Sequence, residues 1–263
     1  MPAIEIIGGS VTAPGATETI LTAFSGNSFT VRAGKEGSKI LLCNFWSDVQ
    51  GSGIFKVRSP LLHDNVQGIR FRTIISQPFR MLSLYSPQKI NAQDTLIPSL
   101  SGSATAGDME IGIFLIYYED LPGAVANLKK WSEIKDKIIN IVTLDTTLAL
   151  LTTGGWSGAE AINADFDLLK ANTDYAILGY IVNKECAAIR IYGTDTAGLG
   201  IGGPGCEDHP EITANWFVDI SNSLDILFIP IINSANKSNT YIDGSTDENG
   251  EATTVNLILA QLG

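Results

Sequence analysis

Short apolar runs broken by glycine, proline and small polar residues dominate the chain, and most alternate with the period of two that marks a strand. Ala3–Ile7 opens the series, followed by Gly8-Gly9 and a Thr/Ala/Pro/Gly stretch. Ser28–Ala33 places Phe29, Val31 and Ala33 on one side. Lys39–Trp46 is almost continuously apolar, which suits a strand buried on both faces. Ile54–Arg58, Gly68–Arg72, Met81–Tyr85, Thr95–Leu100 and the long Met109–Tyr118 follow. Strands at this spacing over the first 120 residues predict a β-sandwich.

Between Leu121 and Val142 the period changes. Leu121, Val125, Leu128, Trp131, Ile134 and Ile138 recur at three and four residues, with most of the charged residues off that face. Pro122 fits a first helical turn, and Glu119 and Asp120 suit the positive end of a helix. The pattern predicts an α-helix over 121–142.

Beyond it the strand order returns. Asp165–Leu169 stands where Ser28–Arg32 stood, and Ala176–Tyr180 where Lys39–Cys43 stood, both 137 residues on. Ala188–Tyr192 answers to Ile54–Arg58, Trp216–Ile220 to Met81–Tyr85, and Val255–Leu262 to Met109–Tyr118. Leu227–Ile232 matches Thr95–Leu100, with Pro230 falling on Pro98. A proline inside an apolar strand is uncommon because it removes a ladder donor. The expected architecture is all-β: a first sandwich over 1–120, a connecting helix over 121–142 and a second sandwich over 143–263, related by internal duplication.

Charge refines this picture. Of the formal net charge of −11, residues 143–263 carry −12, from 4 basic and 16 acidic side chains. Such a half repels a polyanion, so direct nucleic-acid binding is not expected. No apolar run is long enough for a membrane helix, and MPAIEIIGGS lacks the pattern of a signal peptide, so cytosolic synthesis is expected. Cys43, Cys186 and Cys206 are odd in number and form no CxxC, which points to reduced thiols.

Candidate chemistry is sparse. His63 and His209 fall at unrelated places in the two halves, so neither a clustered histidine metal site nor a Ser/His/Asp or Cys/His site has material, and no enzyme is expected. Gly198–Gly203 contains a literal GxGxxG, but Pro204, Glu207 and Asp208 follow where a phosphate-binding helix would have to begin. Asp243, Asp247, Asn249 and Glu251 gather hard oxygen ligands among glycines, a set suited to calcium, although a solvated hairpin tip accounts for the same residues. Asn236-Lys237-Ser238 is a formal glycosylation triplet with no secretion signal to give it weight.

The paired halves, the Ile97-Pro98 and Ile229-Pro230 repeat, the helix expected at the junction and the chain length resemble the double jelly-roll major capsid proteins of membrane-containing icosahedral viruses of bacteria and archaea. The resemblance is one of architecture. It implies two eight-stranded jelly rolls joined by a helix, and a homotrimer of pseudo-sixfold outline. It also implies neighbouring trimers and minor capsid or penton proteins as partners, an internal lipid membrane, and a place in the virion. Loops 86–94, 193–211 and 234–251 would then make lateral contacts or the outer face. Two other readings stand beside it. A carbohydrate-binding spike, fibre or adhesin would use an exposed aromatic, for which Trp156 in TTGGWSGAE is the candidate. A glycan-acting enzyme would need a carboxylate pair, which no spacing nominates.

Overall fold

Apolar runs on both faces of a strand require cover on both sides, and that requirement shapes this chain. The computed structural model describes residues 1–33, 39–47, 53–60, 66, 68–72, 79–124, 126–149, 151–165, 167–184, 186–205, 210–246 and 252–263. The first lobe contains β1 (Ala3–Thr12), β2 (Thr19–Ile20), β3 (Thr22–Ala23), β4 (Lys39–Ser47), β5 (Ile54–Arg58), β6 (Ile69–Arg72), β7 (Phe79–Lys89), β8 (Ile97–Ser101) and β9 (Met109–Tyr118). They form a five-stranded sheet, β3-β1-β9-β4-β7, and a four-stranded sheet, β2-β8-β5-β6. Strand pairings in both sheets are antiparallel. Ile7, Phe114, Ile116 and Tyr118 from one sheet meet Phe55, Val57 and Leu100 from the other in a common core. Gly8 admits the Phe24 ring, since a Cβ there would stand 2.4 Å from Phe24 Cε2.

The second lobe contains β10 (Leu128–Lys129), β11 (Ile138–Leu148), β12 (Ser157–Ala161), β13 (Asp174–Val182), β14 (Ala188–Gly193), β15 (Ile201–Pro204), β16 (Ile229–Asn233), β17 (Thr240–Ser245) and β18 (Thr253–Leu262). Its sheets have the orders β10-β16-β13-β18-β11 and β12-β17-β14-β15. With the two-residue strands β3 and β10 set aside, this order maps onto that of the first lobe, β11 on β1 and β18 on β9. Tyr180 on β13 donates to the Pro204 carbonyl at 2.9 Å, and Trp216 Nε1 donates to the Gly202 carbonyl at 3.0 Å, anchoring β15 to the opposite sheet.

Several expectations are corrected. The segment 121–142 is not one helix. It holds a turn at Pro122-Gly123, strand β10, a single helical turn α1 (Trp131–Ile134), a 3-10 turn and the start of β11. Gly123 has φ +78°, outside the helical region, and Lys130 is extended at φ −82°, ψ 152°. From Ile138 the β-branched Ile138, Ile139, Ile141 and Val142 favour a strand. Trp216–Ile220, expected as a strand, lies in helix α3 (Trp216–Leu224), which follows a single helical turn, α2 (Pro210–Thr213). Trp216, Phe217 and Ser221 are its buried residues, a helical spacing hidden within a short apolar run. Ser28–Ala33 makes one isolated bridge, Thr30 to Thr95, and Asp165 and Asp167–Leu169 are irregular. The two Ile-Pro pairs do lie in strands, but Pro98 is in β8 of a four-stranded sheet and Pro230 in β16 of a five-stranded one. A proline is tolerated wherever its nitrogen lacks a ladder partner, so its recurrence does not mark register. Loop 86–94 begins inside β7, and loop 234–251 contains β17. No helix among the described residues is long and apolar enough to cross a membrane.

Phe114 is fully buried in the first-lobe core. Phe114→Ala is expected to lower unfolding free energy by about 3–5 kcal/mol in urea titration. Half-buried Trp131 should cost roughly half that range on truncation, since part of its ring already faces water.

Candidate functional site

A continuous apolar seam joins the two lobes. Along β9, Phe114, Ile116 and Tyr118 point into the first-lobe core. Ile111, Ile113, Leu115 and Tyr117 point the other way and join a cluster that includes second-lobe residues. The register Ile4↔Tyr117 and Ile6↔Leu115 places Ile4 and Ile6 of β1 on that same outer face. Both strands are therefore buried on both sides, as the unbroken run MEIGIFLIYY requires.

The second lobe meets this face with the β14–β15 hairpin, whose β15 contacts both β1 and β9. Ile6 donates its backbone N–H to the Gly200 carbonyl at 2.8 Å, and Ser10 Oγ donates to the Gly154 carbonyl at 3.1 Å. Leu199 enters the first-lobe core cluster, and Ala197 packs against it. Here the literal GxGxxG finds its role: a turn followed by strand β15, with a hydrophobic plug at its centre. Gly200 has no side chain because Arg190 lies across it; a Cβ would stand 2.2 Å from Arg190 Cδ.

Polar groups fix the seam's register. Asn27 Oδ1 accepts from Trp156 Nε1 at 2.8 Å and from the Gly8 N–H at 2.9 Å, joining the lobes through one side-chain oxygen. The Trp156 ring meets Phe24 edge-on at 5.3 Å. Arg190 lies 4.7 Å from the Trp156 ring centroid and 4.9 Å from that of Tyr192. Its Nε and Nη2 donate to the two carboxylate oxygens of Asp243 at 2.9 and 2.5 Å. Burial pushes the Asp243 carboxyl above its ordinary value, against the pull of Arg190. Trp156 is thus a seam residue, and the exposed sugar platform expected of it is absent. Arg190 escaped sequence reasoning, yet it is the only arginine after Arg80 and stands in an acidic half.

Of the four residues of the calcium set, Asp243 alone lies among the described residues. Asp243 sits in β17 and is 3% exposed, with both oxygens engaged by Arg190, so the hairpin-tip reading fails at this residue. Asp247, Asn249 and Glu251 lie outside the described residues, as do His63, His209 and Cys206. Among the described residues no group of three or more His, Cys, Asp or Glu could hold a metal ion. Cys186 is buried and free of disulfide, its Sγ donating to the Ala188 carbonyl at 3.1 Å.

A second, partly buried network holds the irregular segment after Ser28. Arg32 donates two bonds to Glu5, at 2.9 and 2.7 Å, and the Tyr118 hydroxyl donates a third at 3.0 Å. Glu5 and Arg32 border a cleft of about 480 Å³, and there the acid and base neutralise one another. This arrangement holds a segment in place and offers no nucleophile with a base.

Two outcomes follow from this geometry. Asn27→Ala leaves two part-buried donors without their acceptor and should cost about 1 kcal/mol in chemical denaturation. Burial, aided by Glu119, pushes the Tyr117 hydroxyl up to about 12. A raised folded-state value contributes stability below the ordinary tyrosine value of about 10, lost as pH climbs through the folded value. Melting temperature should therefore fall between about pH 10 and about pH 12, and Tyr117→Phe should make that fall shallower.

No family model and no curated protein matches the chain. Among solved structures it is similar to the major capsid protein of STIV, the Sulfolobus Turreted Icosahedral Virus, at 7% identity and TM-score 0.23, covering 100% of this chain and 97% of that one. It is also similar to the major capsid protein P2 of bacteriophage PM2, at 6% identity and TM-score 0.23, covering 100% and 98%. The PBSX exported protein XepA matches at 9% identity and TM-score 0.21, covering 94% and 88%. At these TM-scores the likeness is too loose to transfer a residue or an activity.

Proposed function

We propose that this chain is a structural virion protein, a major capsid protein whose two lobes are tandem eight-stranded jelly rolls arising by internal duplication. Three copies form a pseudo-hexameric trimer, and such trimers tile an icosahedral shell. The observation that carries the reading is the seam: two sandwiches of matching strand order are joined through a continuous apolar face into one two-lobed block. A shell subunit must transmit shape without yielding, and a seam of buried aliphatic side chains, each contributing roughly 1.5–3 kcal/mol, supplies that stiffness. Two similar lobes per chain give six similar units around a threefold axis, which is a hexagonal tile.

In this reading the partners are neighbouring trimers, minor capsid or penton proteins and an internal lipid membrane. The acidic second half keeps the chain off nucleic acid. The protein works by shape and not by catalysis. Light scattering on the purified chain should give three times the 28.1 kDa chain mass, with larger clusters as concentration rises. A stable monomer across the accessible concentration range overturns the proposal.

A further inference from the structure

The cleft between β1 and the irregular segment after Ser28 is lined by side chains that make hydrogen bonds: Glu5, Asn27, Ser28, Thr30, Arg32 and Gln93. Several of them hold bonding capacity in reserve. Asn27 spends its Oδ1 on Gly8 and Trp156, and its Nδ2 group enters no bond among the described residues. Arg32 uses Nε and Nη2 on Glu5, so the two N–H donors of Nη1 remain. Ser28 Oγ accepts from the Thr30 N–H at 3.1 Å and keeps its own hydrogen to donate. Gln93 brings a whole side-chain amide to the cleft. Its backbone has φ +62°, a left-handed conformation that is costly for a glutamine, and its N–H donates to the Val31 carbonyl at 3.0 Å. The strain is thus held in place by a bond to another residue of the lining.

Charge and lining decide what such a cleft can take. An anion would meet the Glu5 carboxylate, and a cation would meet the Arg32 guanidinium, with the pair already satisfied between themselves. An apolar ligand would strip water from amides and hydroxyls and return no hydrogen bond, and Val31, the bulkiest apolar residue of the lining, is itself buried. A neutral ligand with adjacent hydroxyls, each able to donate and to accept, meets both restrictions.

We infer that this cleft binds a neutral sugar unit through Asn27 Nδ2, Arg32 Nη1, the Ser28 hydroxyl and the Gln93 amide. The lining has no aromatic ring on which a sugar could stack, so the dissociation constant is on the order of 1 mM for a ligand of this size. The site belongs to a single chain and does not rest on the assembly reading.

Titration of the isotope-labelled full chain with the methyl glycosides of glucose, galactose and mannose, followed by NMR, tests it. Trp156 Nε1 bonds the Asn27 that lines the cleft, so its indole resonance, assigned from Trp156→Phe, should move with at least one of the three. The indole resonances of Trp131 and Trp216 should stay in place. Gln93→Gly relaxes the backbone while removing the amide, so it should melt near the wild-type temperature and bind the sugar about fivefold more weakly. Ser28→Ala, at an exposed position, should weaken binding by a similar factor. Glucuronate and glucosamine, which carry a charge, should bind less well than the neutral sugars. A Trp156 resonance that stays still up to about 50 mM of every neutral sugar, well above the expected constant, overturns the inference. So does wild-type affinity in both variants, or tighter binding of either charged sugar. None of these outcomes touches the assembly reading, which the mass of the purified chain decides.

Discussion

Everything in this structure depends on β9 being apolar on both faces. A strand at the surface of a sandwich normally presents polar residues to water on its outer side. Here Ile111, Ile113, Leu115 and Tyr117 occupy that side, and the first lobe alone would leave them exposed. The second lobe is the solution to that problem. Its β14–β15 hairpin lies on the outer face of β1 and β9, and Leu199 crosses into the first-lobe core. The two lobes are therefore not two self-sufficient domains on a tether, since the first requires the second to bury its own sheet.

Apolar burial gives the seam its strength but not its register, because aliphatic faces slide. The polar contacts remove that freedom. Asn27 bonds both to its own lobe's Gly8 and to Trp156 across the seam, so a slip would strand two donors at once. Arg190 is held in one orientation by two bonds to Asp243 and by the rings of Trp156 and Tyr192. A buried ion pair contributes little net stability once desolvation is counted. Its value here is geometric: it fixes the guanidinium across Gly200, where the backbone bond to Ile6 is made.

Strand content was legible because period-two alternation is local, and so were Ala3–Ile7, the last strand of each lobe and the Ala176–Tyr180 and Ala188–Tyr192 strands. The failures share one cause. A spacing of three and four predicts a helix only if the backbone is continuous, and between Leu121 and Ile138 similar spacings arise from separate pieces. Leu128 in β10 and Ile134 in α1 are each buried for their own reason. Trp216–Ile220 misled in the opposite sense, a helix too short to show a full period. Asp243-Gly244 resembles a turn in sequence, yet lies in β17 because Arg190 stands directly opposite on β14. Nothing local announces that pairing; it depends on residues 53 positions apart.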